Sequence, residues 1–426
     1  MRIAVIGAGI AGNTVAWKLH RQHEITVFEA ESWIGGHTHT VDVSHGGRTY
    51  AIDTGFIVCN DRTYPNFLQL LDDIHVPTQP STMSFSVRCE RTGLEYNGTS
   101  LNGLFAQRRN LVRPAFLGMV RDILRFNRQA PALLDEPAMA DISLGDYLEA
   151  GRYGQQFIHR YLLPMGAAIW STEPARMLDC PARFFIRFFH NHGMLTIDDR
   201  PQWRVVRGGS RTYVDALTAP FRDRIHRNTA AMGVRRVPGG VQIEARDGTC
   251  RQFDAVFVAC HSDQALRLLR DPTAAEKAVL GAISYQANDV VLHTDTSLLP
   301  QRRRARAAWN YHVLDGDPAA VAVTYNMNML QSLDAPVTFC VTLNRSDAID
   351  PAKVIGRYTY HHPLYDAAAV TAQLRHSELN GISGVYYCGA YWRYGFHEDG
   401  VVSALQAVRD FEEQCADAQH ALRRLG

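Results

Sequence analysis

The first residues able to do chemistry are three glycines and an acid. Gly7, Gly9 and Gly12 stand at G-x-G-x-x-G spacing, with Ile10 and Ala11 inside the last gap, and Glu29 follows. The first glycine permits a tight turn, the second removes the side chain that would block a pyrophosphate, and the third lets a helix pack close to a strand. An acid at position 29 accepts hydrogen bonds from both hydroxyls of an adenosine ribose. It also disfavours a 2′-phosphate, which argues against NADP.

The spacing alone is weak, and its context decides. Arg2–Ile6 is short, apolar and β-branched, as a buried parallel strand should be. Asn13–Arg21 reads as a helix with Val15, Ala16 and Leu19 on one face, and Ile25–Phe28 as a second strand ending at Glu29. A helix start in that place offers free N–H groups to phosphates. The plain alternative is a glycine-rich turn in an ordinary α/β domain.

A second glycine pair lies just past the acid, in Ala30 to Ile34 followed by Gly35-Gly36-His37-Thr38-His39-Thr40. A nicotinamide-only domain has no need of it. A flavin site does, because the chain must pass close to both pyrophosphate and flavin. Asp53-Thr54-Gly55-Phe56 follows a strand-like stretch, Thr49–Ile52. These residues indicate FAD.

Together these motifs resemble the FAD-dependent amine oxidoreductase superfamily, which includes monoamine oxidases, protoporphyrinogen oxidases and carotenoid desaturases. His37 stands where that family usually has arginine. The likeness continues in Gly208-Gly209-Ser210 with Tyr213 and Leu217, in Phe253–Ala259, and in Gly384–Ala390 with Gly389. It ends in His397-Glu398-Asp399-Gly400-Val401, with Ser403 and Ala404, like a helix start facing the flavin pyrimidine. It implies cofactor contacts at Ala231, Ala259, Gly389, Asp399, Gly400 and Val401, besides those near the N-terminus. Residues 35–40 and 391–400 look closer to bacterial flavoproteins similar to the N-terminal half of plant cyclopropane fatty acid synthases. That branch implies a lipid acyl substrate.

The implied fold is α/β: a discontinuous Rossmann-type FAD domain, amine oxidase-like, with an inserted α+β substrate domain. Segments 1–75, 205–285 and 376–426 would form the first, and 76–204 and 286–375 the second. Residues 104–128 carry an apolar series among six arginines. They read as an amphipathic surface helix over the substrate domain, with contact to anionic lipid headgroups as the alternative. Phe184–Phe189 reads either as buried core or as the lining of an acyl pocket. Arg302-Arg303-Arg304 reads as a solvated loop, too short to indicate nucleic acid.

Composition narrows the classes. A formal charge of +1 gives no general polyanion binder. The eight cysteines are scattered, with no metal-ligand spacing, which suits reduced thiols in a cytoplasmic protein. No apolar run is long enough to span a membrane. The residues leave the oligomeric state open.

The flavin would carry the redox step, with oxygen or another carrier as final acceptor. Desaturating an acyl chain also removes a proton from carbon. His397 and Glu398 are the candidate bases, and structural hydrogen bonding is the alternative for both. His37 and His39 are candidates for contact with pyrophosphate or flavin, and Trp392 and Tyr394 for a wall beside it. Many amine oxidases of the superfamily use a lysine near the flavin. This chain has only Lys18, Lys277 and Lys353. The competing readings are a flavin amine oxidase, an FAD-binding scaffold without turnover, and a nicotinamide dehydrogenase.

Overall fold

Short apolar strands need burial on both faces, and this chain provides it with a parallel sheet between two layers. The computed structural model describes residues 1–136, 139, 142–196, 198–315 and 321–425. Five strands run parallel in the order Ile225–His226, Glu24–Phe28, Arg2–Ile6, Ala255–Val258, Val385–Tyr387. On one face lie the helix Ile10–Leu19 and the last helix, His397–Leu425, which pack on each other. A three-stranded antiparallel sheet, Ala231–Val237, Gly240–Ala245 and Cys250–Phe253, joins the core on the other side.

The second body is a seven-stranded sheet in the order Val354–Pro363, Tyr285–His293, Cys340–Leu343, Ala322–Asn326, Trp309–Val313, Phe85–Cys89, Leu94–Asn97. Its pairs are antiparallel except Trp309–Val313 with Phe85–Cys89. Helices between residues 114 and 191 cover it. Phe126, Phe157, Phe185 and Phe189 are buried in the same core as Val87, Val323 and Val341 of the sheet. A small sheet of Cys59–Asn60, Trp203–Val206 and Thr78–Pro80 shares a core with Ile10 of the first helix. Its middle strand runs through the boundary expected at 204/205, because it pairs with strands on both sides.

Two elements differ from expectation. The first helix begins at Ile10 rather than Asn13, with Gly9 as its extended N-cap. The stretch 104–128 is not one helix. It divides into a 3-10 turn, Arg108–Val112, and a helix, Pro114–Gln129, because Pro114 has no N–H to continue a preceding turn but suits a first helical position.

A hydrogen-bonded chain crosses the large sheet. His293 Nε2 meets Thr342 Oγ1 at 2.7 Å, Thr342 meets Thr324 Oγ1 at 2.8 Å, and Thr324 meets His312 Nε2 at 2.9 Å. His293 Nδ1 accepts the Asp295 N–H at 3.0 Å, so that nitrogen carries no proton. Burial lowers His293 to about 4 and His312 to about 3, from 6.5. The unfolded chain therefore binds more protons than the native one below 6.5, and stability falls as pH drops from there toward 4. Each histidine adds a slope of up to about 1.4 kcal/mol per pH unit. Urea midpoints measured at pH 7 and pH 5 should show a smaller acid loss in His293→Gln/His312→Gln than in the parent chain. Equal losses would mean that the two histidines are protonated in the native state.

Candidate functional site

The glycines of the first turn are held by close approach. Gly7 has φ +100°, and an added Cβ would lie 3.0 Å from the Ala259 carbonyl oxygen. A Cβ on Gly12 would sit 1.9 Å from the Gly7 carbonyl oxygen. Gly9 differs: a Cβ there would meet nothing within 4 Å. Open space thus lies over Gly9, beside the first-turn amides of Ile10, Ala11 and Gly12, which helix geometry leaves without carbonyl partners. Gly35 pairs with Gly9 in an isolated parallel bridge, and a Cβ on Gly36 would lie 3.1 Å from Gly9 Cα. A Cβ on Gly400 would lie 2.7 Å from Ile10 Cγ2, so the last helix starts directly against the first.

Glu29 is buried, and its Oε2 and Oε1 accept the Ala8 and Glu31 N–H groups at 2.7 and 2.9 Å. Burial raises its pKa while those amides oppose the rise. The carboxylate is fixed in place with acceptor capacity left over for ribose hydroxyls. Ala30 is exposed beside it, and Ala231 is half-buried at the start of its strand. An open approach over Gly9, free amides and a fixed acid suit the adenosine diphosphate half of FAD.

His37 lies among His261, His362 and Tyr360, at ring-centre distances of 5.8, 5.5 and 5.3 Å. Its Nε2 is buried without a partner. Burial lowers His37 to about 4 and His261 and His362 to about 3. His39 is turned elsewhere, stacked on Trp33 and hydrogen-bonded through Nδ1 to Tyr360 at 3.0 Å. Thr54 bonds the His39 carbonyl and Tyr360, so its hydroxyl serves the protein. A Cβ on Gly55 would strike the His37 carbonyl oxygen at 2.0 Å, and Phe56 N–H donates to that oxygen at 2.8 Å.

Phe56 then stacks on His397, 3.5 Å between ring centres and 13° from parallel. His397 Nε2 lies 2.9 Å from Thr38 Oγ1 and 3.0 Å from the Tyr213 hydroxyl. All three are buried, and burial holds His397 well below the usual histidine range. Glu398 makes the structural bonds that stood as the alternative to a base. Its oxygens accept Asn66 N–H, Asn66 Nδ2 and Phe67 N–H at 3.1, 2.6 and 2.9 Å, capping the helix Pro65–Asp73. Asp399 accepts the Tyr394 and Phe396 N–H groups through Oδ2, and burial raises it to about 7. Val401 packs with Ile10 and Tyr213, while Gly389 N–H donates to Ser403 Oγ at 2.9 Å.

An aromatic wall stands beside this turn. Phe184 packs on Tyr365 and Tyr394, and Phe188 on Trp170, Tyr394 and Phe396. Phe184–Phe189 is thus part core and part wall. Trp392 instead stacks on His376 at 4.0 Å. Of these residues Tyr394 and Phe396 line a cleft of ≈ 770 Å³, together with Arg62, Pro131, His192 and Asp399.

The Thr38–Tyr213–His397 network and the histidines at 261 and 362 escaped the sequence reading. Tyr213 was visible only as part of a glycine-turn motif. The alternation Arg357-Tyr358-Thr359-Tyr360 before His361-His362 marks a strand but not what it faces.

Comparison with known proteins agrees with this geometry. A family described as flavin containing amine oxidoreductase matches residues 10–332. The fold is similar to a fatty acid isomerase from P. acnes that produces CLA, with TM-score 0.67, 16% identity, and 96% of this chain and 98% of that one covered. It is also similar to cyclohexylamine oxidase from Brevibacterium oxydans IH-35A, with TM-score 0.69, 14% identity and coverages of 97% and 99%. A putrescine oxidase bound to putrescine gives TM-score 0.69, 12% identity and the same coverages. No curated protein sequence is similar enough to this chain to be matched.

Gly9 and Gly12 separate cofactor binding from folding. Gly9→Val should leave the thermal midpoint of the cofactor-free protein unchanged while abolishing FAD binding. Gly12→Ala should itself destabilise the fold by about 1–3 kcal/mol, the usual cost of overpacking. Glu29→Ala should weaken FAD by about 1.5–3 kcal/mol, the worth of hydrogen bonds to a charged group. Fluorescence titration with FAD and thermal unfolding read both; undiminished FAD affinity in Gly9→Val would show that the pyrophosphate is not held there.

Proposed function

This chain belongs to the family of flavin containing amine oxidoreductases and is an FAD-dependent oxidoreductase, and we propose that it oxidises a hydrophobic, acyl-chain-bearing substrate. The observation that carries the reading is the aromatic cluster of Phe184, Phe188, Tyr365, Tyr394 and Phe396, whose members Tyr394 and Phe396 line the cleft beside Asp399. The aromatic faces of Tyr394 and Phe396 suit the methylenes of an acyl chain. Arg393 at its rim makes no ion pair among the described residues and suits an anionic head. None of the three lysines belongs to the wall or the cleft lining. Lys18 lies over Trp17, Lys277 is exposed on the helix Ala274–Leu280, and Lys353 pairs with Asp295. That a fatty acid isomerase shares the fold supports an acyl substrate; that amine oxidases share it keeps amines as the comparison in the test.

FAD, when bound, supplies the hydride acceptor, which oxygen or another carrier restores. The chain's residues do the rest. The first-turn amides of Ile10, Ala11 and Gly12 would hold the pyrophosphate, and Glu29 the ribose. The first-turn amides of the last helix, at His397, Glu398 and Asp399, have no intrahelical carbonyl partner and would present N–H groups to developing negative charge. Tyr394 and Phe396 would orient the substrate in the cleft.

Removing two hydrogens from carbon also requires a proton acceptor. Of the three residues at the helix start, Asp399 fits best. It lines the cleft, its Oδ1 accepts no hydrogen bond among the described residues, and burial places it at about 7. A base with a pKa near the working pH is the most effective. His397 is instead a positioning residue, neutral and committed to Thr38 and Tyr213. Glu398 fixes the neighbouring helix.

Anaerobic stopped-flow bleaching of the flavin by acyl substrates and by amines tests this. Asp399→Asn should keep FAD but slow reduction by about 10²–10⁴-fold, the usual worth of a general base. The wild-type rate should rise with pH through about 7, and that rise should vanish in the variant. His397→Gln, which can still bond Thr38 and Tyr213, should stay within about tenfold of wild type, far from a base's loss. Reduction by amines alone, or a His397→Gln loss as large as that of Asp399→Asn, would overturn the assignment.

A further inference from the structure

Among the described residues nine large apolar side chains are exposed, and five of them fall between positions 101 and 124: Leu101, Leu111, Val112, Leu117 and Leu124. Val112 is 80% and Leu101 76% exposed. On the helix Pro114–Gln129 the outward stripe reads Leu117, Arg121, Leu124, Arg128, at the spacing of one helical face. The 3-10 turn before it exposes Leu111 and Val112 with Arg108 and Arg109, and Arg113 joins the two.

The charge is one-sided. From Tyr96 to Leu134 the only acid is Asp122, which is buried, accepts the Gly154 N–H and lies 3.4 Å from Arg125. A second basic segment, distant in sequence, comes alongside. The 3-10 turn Arg303–Ala305 packs against the helix Leu101–Leu104, and Arg302, Arg303 and Arg304 are exposed. Glu95 is buried beneath this segment, accepting the Gln301 and Arg302 N–H groups at 2.8 and 3.0 Å, so its charge does not face outward. The exposed leucines and valine thus stand among arginines from two parts of the chain.

We propose that this face, built from residues 101–128 and 302–304, docks on an anionic lipid bilayer. Exposed leucines on a helix among arginines suit the boundary between headgroups and acyl chains, where the apolar side chains enter and the guanidinium groups meet phosphates. No helix of the described residues is long and apolar enough to cross a membrane, so the contact is one of surface attachment. The cleft opens nearby in the chain, because Pro131 lines it just past the end of this helix. The docking stands on charge and exposure and does not depend on which substrate is oxidised.

Flotation of the FAD-loaded protein tests it, with vesicles of phosphatidylcholine alone and of phosphatidylcholine mixed with phosphatidylglycerol. The protein should float with the mixed vesicles, remain behind with neutral ones, and be released by salt. Arg109→Gln/Arg113→Gln and Arg303→Gln/Arg304→Gln should each lower partitioning, by about fivefold per arginine. Leu111→Ser/Val112→Ser should lower it further while leaving the flavin spectrum and thermal midpoint unchanged, since both side chains are exposed. No flotation, or flotation indifferent to these variants, would overturn the proposal. A dimer that becomes a monomer in Leu111→Ser/Val112→Ser, without flotation, would assign the face to self-association instead.

Discussion

A single buried carboxylate joins the two bodies of this protein. Asp53 has no exposed surface, and burial raises it to about 6 despite its donors. It accepts Thr40 Oγ1 at 2.6 Å, Ser210 N–H at 2.9 Å, Ser210 Oγ at 2.9 Å and Gln331 Nε2 at 3.1 Å. Thr40 belongs to the hairpin Thr40–His45 with Arg48–Asp53, Ser210 to the glycine turn before the helix Arg211–Thr218, and Gln331 to the end of a short helix beside the large sheet. Gln331 also accepts the Asp53 N–H at 3.1 Å. A buried charge is tolerated only with such a set of partners, and removing one leaves the others unsatisfied. Thr54, Gly55 and Phe56 follow at once, so the placement of Asp53 sets where Phe56 stacks on His397.

The three residues that open the last helix show how environment divides the roles of neighbours. His397 points into hydroxyls and an aromatic face, Glu398 into the amides of another helix, and Asp399 back to its own loop and the cleft. Sequence alone ranks them by ordinary pKa, which favours histidine. Burial reverses the order, lowering the imidazole and raising the carboxyl toward neutrality.

The nucleotide body was legible because its motif is local. Strand, glycine turn, helix and acid lie within the first thirty residues, and each close approach demands glycine for a reason visible in one sequence. Gly12 against Gly7 and Gly55 against His37 are such cases. The network at His397 was not legible, because Thr38, Tyr213 and His397 are far apart in the chain and only the fold brings them together. The same holds for His37 with His261 and His362, and for the arginines at 302–304 beside residues 101–104. The break at Pro114 was readable in principle, since proline at that point favours a fresh helix start. Helical periodicity on either side of it masked the break.

The central claim is that this chain holds FAD in the cradle between Gly9, Glu29 and the start of the last helix. An absorbance spectrum of the purified protein, with the cofactor released by heat and quantified, tests it most directly. Flavin bands and one FAD per chain are expected. A colourless protein that FAD cannot reconstitute would contradict it.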